Sequence, residues 1–205
     1  MYENVLVGVH DHESGLDAIA LARQLVSPGG VVTLLRVQVV SRKPSADSGR
    51  IRQLAEQRSE LEELAALRSA ARIDAAVASV PALSAAKGLH AFARHYDHDL
   101  IVVAASRAGE IDRLLIGDDT RDVVRDAPCV VAVAPLWYAG WAAPLRDFKS
   151  PADMLVVEAP EQRPLERFLR ISTLETLADR PVSPLLVVPR GASEPPVRIA
   201  ALPAR

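Results

Sequence analysis

The sequence predicts an α/β protein, an open parallel sheet with helices on both faces, extended by an extra strand–helix–strand unit. Three observations carry this expectation. Short apolar runs rich in Val, Ile and Leu, bounded by turn residues, recur along the chain, and amphipathic helical patterns alternate with them. A stretch near the end then repeats an earlier one at constant offset.

The first strand is "NVLVGV", Asn4 to Val9, a continuous apolar run suited to a strand buried on both faces. A helix follows to Val26: Ser14 and Asp17 have capping-box spacing, Leu16, Ile19, Ala20 and Arg23 step round it, and Pro28 with Gly29-Gly30 stops it. "VVTLLRVQVV", Val31 to Val40, is the second strand. After a polar loop, Ile51 to Ala71 form a long helix with Ile51, Leu54, Leu61, Leu64 and Ala65 on one side; its charges read as a solvated face. "RIDAAVASV" is a third strand. Pro81 then suits the first turn of a helix striped by Leu89, Phe92, Ala93 and Tyr96, which Gly88 weakens. "DLIVVAA" is the fourth strand, "AASRAGEIDRLLIGDDT" a loop running into a helix, and "APCVVAVAP" the fifth strand.

Residues 1–135 thus read as one domain, and 136–152 as a connector holding both tryptophans. Trp137, Tyr138 and Trp141 there are either an interface anchor or the glue between the connector and its own domain. Residues 153–189 read as a partial repeat: Asp99 to Asp153, Arg113 to Arg167 and Pro135 to Pro189 are each 54 apart, without a gap. Lacking the first three strands, this unit has to bury its sheet against the first domain or another chain. Residues 190–205, rich in proline, read as a mobile tail.

Composition narrows the function classes. The chain has 205 residues, 49% hydrophobic and 24% charged, which is ordinary for a globular protein. A net charge of −2 with interleaved signs supplies no field for nucleic acid. Cys129 is the sole cysteine, so there is neither an intrachain disulfide nor a cysteine metal cage, which fits a reducing cytoplasm. No basic leader is visible, and no run approaches the ~18 apolar residues of a membrane span, so a cytoplasmic protein without a membrane partner is expected. GxxxxGK[ST], GxSxG and HExxH are all missing, which leaves P-loop hydrolysis, serine-hydrolase and zincin chemistry without support. Cys129, entering an apolar strand after Pro128, reads as a buried structural thiol rather than a nucleophile.

Together, "NVLVGV", "DLIVV" followed by a loop and "RLLIGD", and "APCVVAVAP" resemble the universal stress protein family over about residues 1–135. The resemblance implies an open five-stranded parallel sheet of order 3-2-1-4-5, a ligand cleft at the carboxyl ends of the first and fourth strands, and dimers formed through the fifth strand. It also implies a binding function more than an enzymatic one, with adenine nucleotide bound in one branch and none in the other.

The family's phosphate motif has Gly, two residues, Gly, nine residues, then Gly and Ser or Thr. Its glycines let the backbone approach phosphates closely. Anchored on Gly117, the first two glycine positions fall on Ala104 and Arg107, with Gly109 a substitute kink. The hydroxyl position is Asp118, followed by Asp119. Asp118 suits an N-cap, a role that excludes phosphate from the same amides. A phosphate charge about 5 Å from one carboxylate at an effective dielectric of ~20 to 40 would be repelled by roughly 2–3 kcal/mol. Arg107, Arg113 and Arg121 would offset part of this.

Where nucleotide-binding members carry an acidic residue after the first strand, this chain has His10, then Asp11-His12. Alternate residues of an extended segment share a face, so this is either a metal or switching site or a polar loop above the sheet; no metal site is assigned. If the nucleotide site is retained, its residues are His10, Val39, Ala104, Arg107, Gly109, Arg113, Gly117 and Asp118. The expectation is a non-catalytic stress-response module with a degenerate site and no cofactor, acting through an unknown protein partner as a homodimer or an intrachain pseudo-dimer. The alternative is an ATP-binding member with weak or no hydrolysis.

Overall fold

Val5, Leu6 and Val7 are fully buried in β1 (Tyr2–Gly8), an interior strand of the sheet in the computed structural model. The structure describes residues 1–40, 47–105, 119–139, 154–158 and 183–189. Around β1 lie α1 (His12–Leu25), β2 (Val26–Val39), α2 (Asp47–Ala71), β3 (Ala76–Ala82), α3 (Ala85–His95), β4 (Leu100–Ala104), α4 (Asp119–Val124), β5 (Val130–Ala134), β6 (Leu155–Glu158) and β7 (Leu185–Val188). They build a seven-stranded sheet of order β3-β2-β1-β4-β5-β7-β6. The expected 3-2-1-4-5 block is there, all parallel, and β7 joins it antiparallel to β5 while β6 lies parallel to β7.

Because side chains alternate across a strand, each apolar run feeds two layers. Val5 and Val7 face a core built with Ile19 and Leu21 of α1 and Leu64 and Leu67 of α2. Leu6 faces the opposite core, with Leu89 and Ala93 of α3 and Val123 and Val124 of α4. The two-residue period continues across β5 into β7: Ala132 and Leu186 belong to the first layer, and Val131, Val133, Leu185 and Val187 to the second.

Several local expectations are corrected. The capping box of α1 is Asp11 with Ser14, not Ser14 with Asp17: the Ser14 N–H donates to the Asp11 carboxylate at 2.8 Å, and the Asp11 N–H donates to Ser14 Oγ at 3.4 Å. This frees Asp17, one turn on, for another role. Pro28, Gly29 and Gly30 do not separate α1 from the next strand but lie inside β2, where the register jumps from Tyr2↔Val26 to Asn4↔Val31. Gly29 has φ +84, a left-handed conformation that favours glycine.

Leu54 of α2 is 61% exposed while Leu64 and Leu67 are buried, so among the described side chains of the helix the buried leucines lie in its C-terminal half. Two of its glutamates also bond to the sheet: the exposed Glu63 pairs with Arg36 of β2 at 2.5 Å, and the half-buried Glu60 accepts from Ser79 Oγ of β3 at 2.5 Å. Pro81 sits within β3, opposite Gln38, rather than in a helix. The edge position of β3 tolerates a residue without an N–H. Ser84 instead caps α3, accepting from the Lys87 N–H at 3.3 Å.

Gly88 weakens α3 as a helix but lets it approach β2. A Cβ added there would lie 2.5 Å from a Val37 methyl and 3.1 Å from Ala82 Cβ. Gly88→Ala is therefore expected to lower stability by about 1 kcal/mol, overpacking outweighing the gain in helix propensity. Thermal unfolding measures it; a higher midpoint would show that Val37 yields without cost.

The offset of 54 carries the range of β4 to 154–158 and that of β5 to 184–188, where β6 and β7 are found. Partners across β4 and β5 differ by 30 in residue number (Ile101↔Val131), and so do partners across β6 and β7 (Leu155↔Leu185). The helix expected between the repeat's strands lies outside the described residues.

Candidate functional site: the cleft above β1 and β4

The chain leaves β1 over the α1 face toward β2 and leaves β4 over the α4 face toward β5, although β1 and β4 are neighbours in the sheet. Diverging connections open a crevice at their carboxyl ends. On the β1 side, Gly8 packs so closely that an added Cβ would stand 3.1 Å from methyls of Leu89 and Val103. The Val9 N–H donates to the Leu35 carbonyl at 2.9 Å, and His10 emerges exposed beyond it. On the β4 side, Ala104 is half-buried and Ala105 fully buried, its N–H donating to the Ala134 carbonyl at 2.9 Å. Thr120, buried in α4, donates its hydroxyl to the Ala104 carbonyl at 3.4 Å. Val39, 64% exposed, ends β2 at the same end of the sheet.

The structure thus brings His10, Val39 and Ala104 to one rim. Arg107, Gly109, Arg113, Gly117 and Asp118 lie outside the described residues. Sequence reasoning missed Gly8, which hides within an apolar run, and Thr120, whose sequence neighbours carry no signal of its contact with β4. The Ala105 amide at the rim is already committed to the sheet, as is the Val9 amide.

The His10-Asp11-His12 stretch is part loop and part helix start. Asp11 is the N-cap of α1, and although partial burial works against its charge, the hydrogen bonds from Ser14 and the nearby His10 hold its carboxyl below the usual range. A carboxylate serving as a cap is a poor metal ligand, and no group of three or more His, Cys, Asp and Glu among the described residues is placed to hold an ion. Burial pushes the Cys129 thiol up to about 12, so at neutral pH it is not the thiolate that a nucleophile requires.

Residues 1–135 match the model of the universal stress protein family. The chain belongs to the universal stress protein family. A universal stress protein solved in complex with cAMP is 19% identical over 66% of this chain and 98% of that one, with a TM-score of 0.51. A universal stress protein from Archaeoglobus fulgidus DSM 4304 is 12% identical over 93% of this chain and 97% of that one, with a TM-score of 0.63. Identities this low establish the fold. No curated protein matches the chain.

In this universal stress protein no described helix is long and apolar enough to cross a membrane. A groove of about 340 Å³ runs between α3 and α4, lined by Ser84, Lys87, His90, Arg94, Asp122 and Arg125 among others, and shares no residue with the cleft rim. At the start of the connector, Tyr138 is buried with its hydroxyl donating to Gln24 Oε1 at 2.8 Å, whereas Trp137 is 59% exposed. Trp141 lies outside the described residues.

Proposed function

We propose that this universal stress protein is a non-catalytic, cytoplasmic module of the stress response that acts by associating with another protein and whose cleft does not hold a nucleotide. The observation that carries the reading is in the sequence: Asp118, followed by Asp119, stands directly after Gly117, where the family's motif has Ser or Thr. That motif position serves a phosphate with a hydroxyl and free N–H groups, and a sequence with two consecutive acids there opposes a phosphate instead. The alanine and arginine at the first two glycine positions, Ala104 and Arg107, support it. In the domain organisation that accompanies this reading, 1–135 is the stress-protein domain, 136–152 a connector, 153–189 a partial repeat and 190–205, outside the described residues, a tail.

A second reading, an ATP-binding member with weak or no hydrolysis, is favoured by the retained Gly117 and by the cAMP carried by one structural relative. It would use His10, Val39, Ala104, Arg107, Gly109, Arg113, Gly117 and Asp118. Calorimetric titration with ATP and magnesium separates the two. No detectable binding is expected, and a dissociation constant in the micromolar range or tighter would overturn the first reading. Asp118→Ser addresses the second: if the pocket is otherwise intact, removing that charge brings binding into view.

A further inference from the structure

We propose that β6 and β7 stand, within one chain, where a second copy's β4 and β5 would stand, so that a tethered partial copy closes the sheet edge through which two copies would otherwise pair. The register of one junction points to this. Strand β7 runs antiparallel to β5 with Val131 opposite Val187, Ala132 opposite Leu186 and Val133 opposite Leu185. Subtracting the 54-residue offset turns Leu185, Leu186 and Val187 into positions 131, 132 and 133. Position 131 therefore faces the counterpart of 133, 132 faces its own counterpart, and 133 faces the counterpart of 131.

Any antiparallel pairing of a segment with its own copy mirrors about some position; here that position is Ala132, the middle of β5, where a two-fold axis between two identical β5 strands would pass. The faces agree as well, since Ala132 and Leu186 belong to one core and Val131, Val133, Leu185 and Val187 to the other. Beyond the junction, the shared difference of 30 makes β7-β6 repeat β5-β4 in the same parallel register.

Edge chemistry supplies the reason for closure. Exposed edges are protected by charge, proline or irregularity. At the far edge, β3 carries Pro81 in the strand and is braced by Glu60 and Gln57 of α2 through Ser79. Strand β5, "VVAVA", has no such device, and all five of its residues are buried in the folded chain. An uncharged apolar edge demands a strand, and β7 provides it at high effective concentration.

The inference rests on strand geometry alone and is indifferent to whether the cleft binds nucleotide. Its test uses the full chain with Cys129→Ala and a single Ala132→Cys, oxidised and run on a non-reducing gel, with mass from light scattering. With β7 intact, no disulfide between chains is expected. When Val187→Pro or Leu186→Lys is added to dislodge β7, two copies should pair through β5, bringing the two introduced thiols together and giving a disulfide-linked species of twice the chain mass. Linkage between chains with β7 intact would overturn the proposal, as would a folded, unlinked monomer once β7 is dislodged. Should both disrupted chains fail to fold, Ala132→Cys with Leu186→Cys decides: a disulfide within one chain is expected, and one between chains means that the strand is exchanged rather than tethered.

Discussion

Replacing Asp17 with alanine is expected to lower stability by about 3 kcal/mol, because two backbone donors lose a charged acceptor in a buried place. Asp17 lies on the buried face of α1 at 1% exposure, and its carboxylate accepts the Trp137 N–H at 3.0 Å and the Ala139 N–H at 2.8 Å. These bonds bend the chain out of β5 and fasten residues 137–139 to the first helix. Trp137 takes φ +68, a left-handed conformation that a bulky side chain rarely adopts unless its surroundings fix it. For a chain of this length the loss corresponds to a fall in melting temperature on the order of 6–12 °C. Asp17→Asn, which keeps one acceptor oxygen, should lose less, and Gln24→Ala, which removes the partner of the Tyr138 hydroxyl, about 1 kcal/mol. Urea unfolding of the three variants checks the order. An Asp17→Ala protein within 0.5 kcal/mol of the parent, a bound taken from ordinary surface substitutions, would mean that the connector holds itself in place.

Acidification is expected to destabilise the fold well above the range in which carboxylates titrate. His90 and His98 are both buried. Burial lowers the pKa of each, against an opposing hydrogen bond from the His90 Nε2–H to the Val123 carbonyl at 2.8 Å, and against the charges of Asp99 and Asp97 near His98. Both rings are therefore neutral in the folded chain at pH values where an unfolded imidazole, titrating near ~6.5, already takes up a proton. The unfolded state binds more protons in that window, so stability is full above about pH 6.5 and declines as the pH drops below it, until the folded histidines themselves protonate. Asp11 acts lower down: its depressed pKa gives stability that is lost only as the pH falls below the ordinary carboxylate value of 3.8 and through its folded one.

His98 is the sharper test of the two. Neither of its ring nitrogens has a hydrogen-bond partner among the described residues, and it packs 5.7 Å from the Phe92 ring and 6.4 Å from that of Tyr96. Replacing it with leucine removes polar atoms that gain nothing from the fold, and should reduce the difference in urea midpoint between pH 7.5 and pH 5. An unaltered difference would assign the acid sensitivity to His90 or elsewhere.

Much of the fold was legible because a parallel strand buried on both faces is written as a continuous apolar run. "DLIVVAA" and "APCVVAVAP" contain the strands expected of them, and "NVLVGV" overlaps β1, which starts two residues earlier at Tyr2. Boundaries were less legible where two local explanations competed. Ser14 is three residues from both Asp11 and Asp17, and only the packing of α1 shows which carboxylate caps and which is turned inward. Pro81 fits a helix start as well as an edge strand, and Gly88 looks like a weakness until Val37 is placed against it. The carboxyl ends of β1 and β4 were legible by their place in the strand order, whereas Arg107, Gly109, Arg113, Gly117 and Asp118 lie outside the described residues and stand on sequence alone.

By itself the sequence determined the order of strands and helices, the family and the constant 54-residue offset, since hydrophobic period and internal similarity are properties of a linear string. Tertiary structure alone decided that β7 turns antiparallel to meet β5 about Ala132, and that Asp17 reaches a connector 120 residues away. Ladder hydrogen bonds are made by backbone groups common to every residue, so no local pattern names their partner; the burial of both faces of β5 and β7 at once selects it.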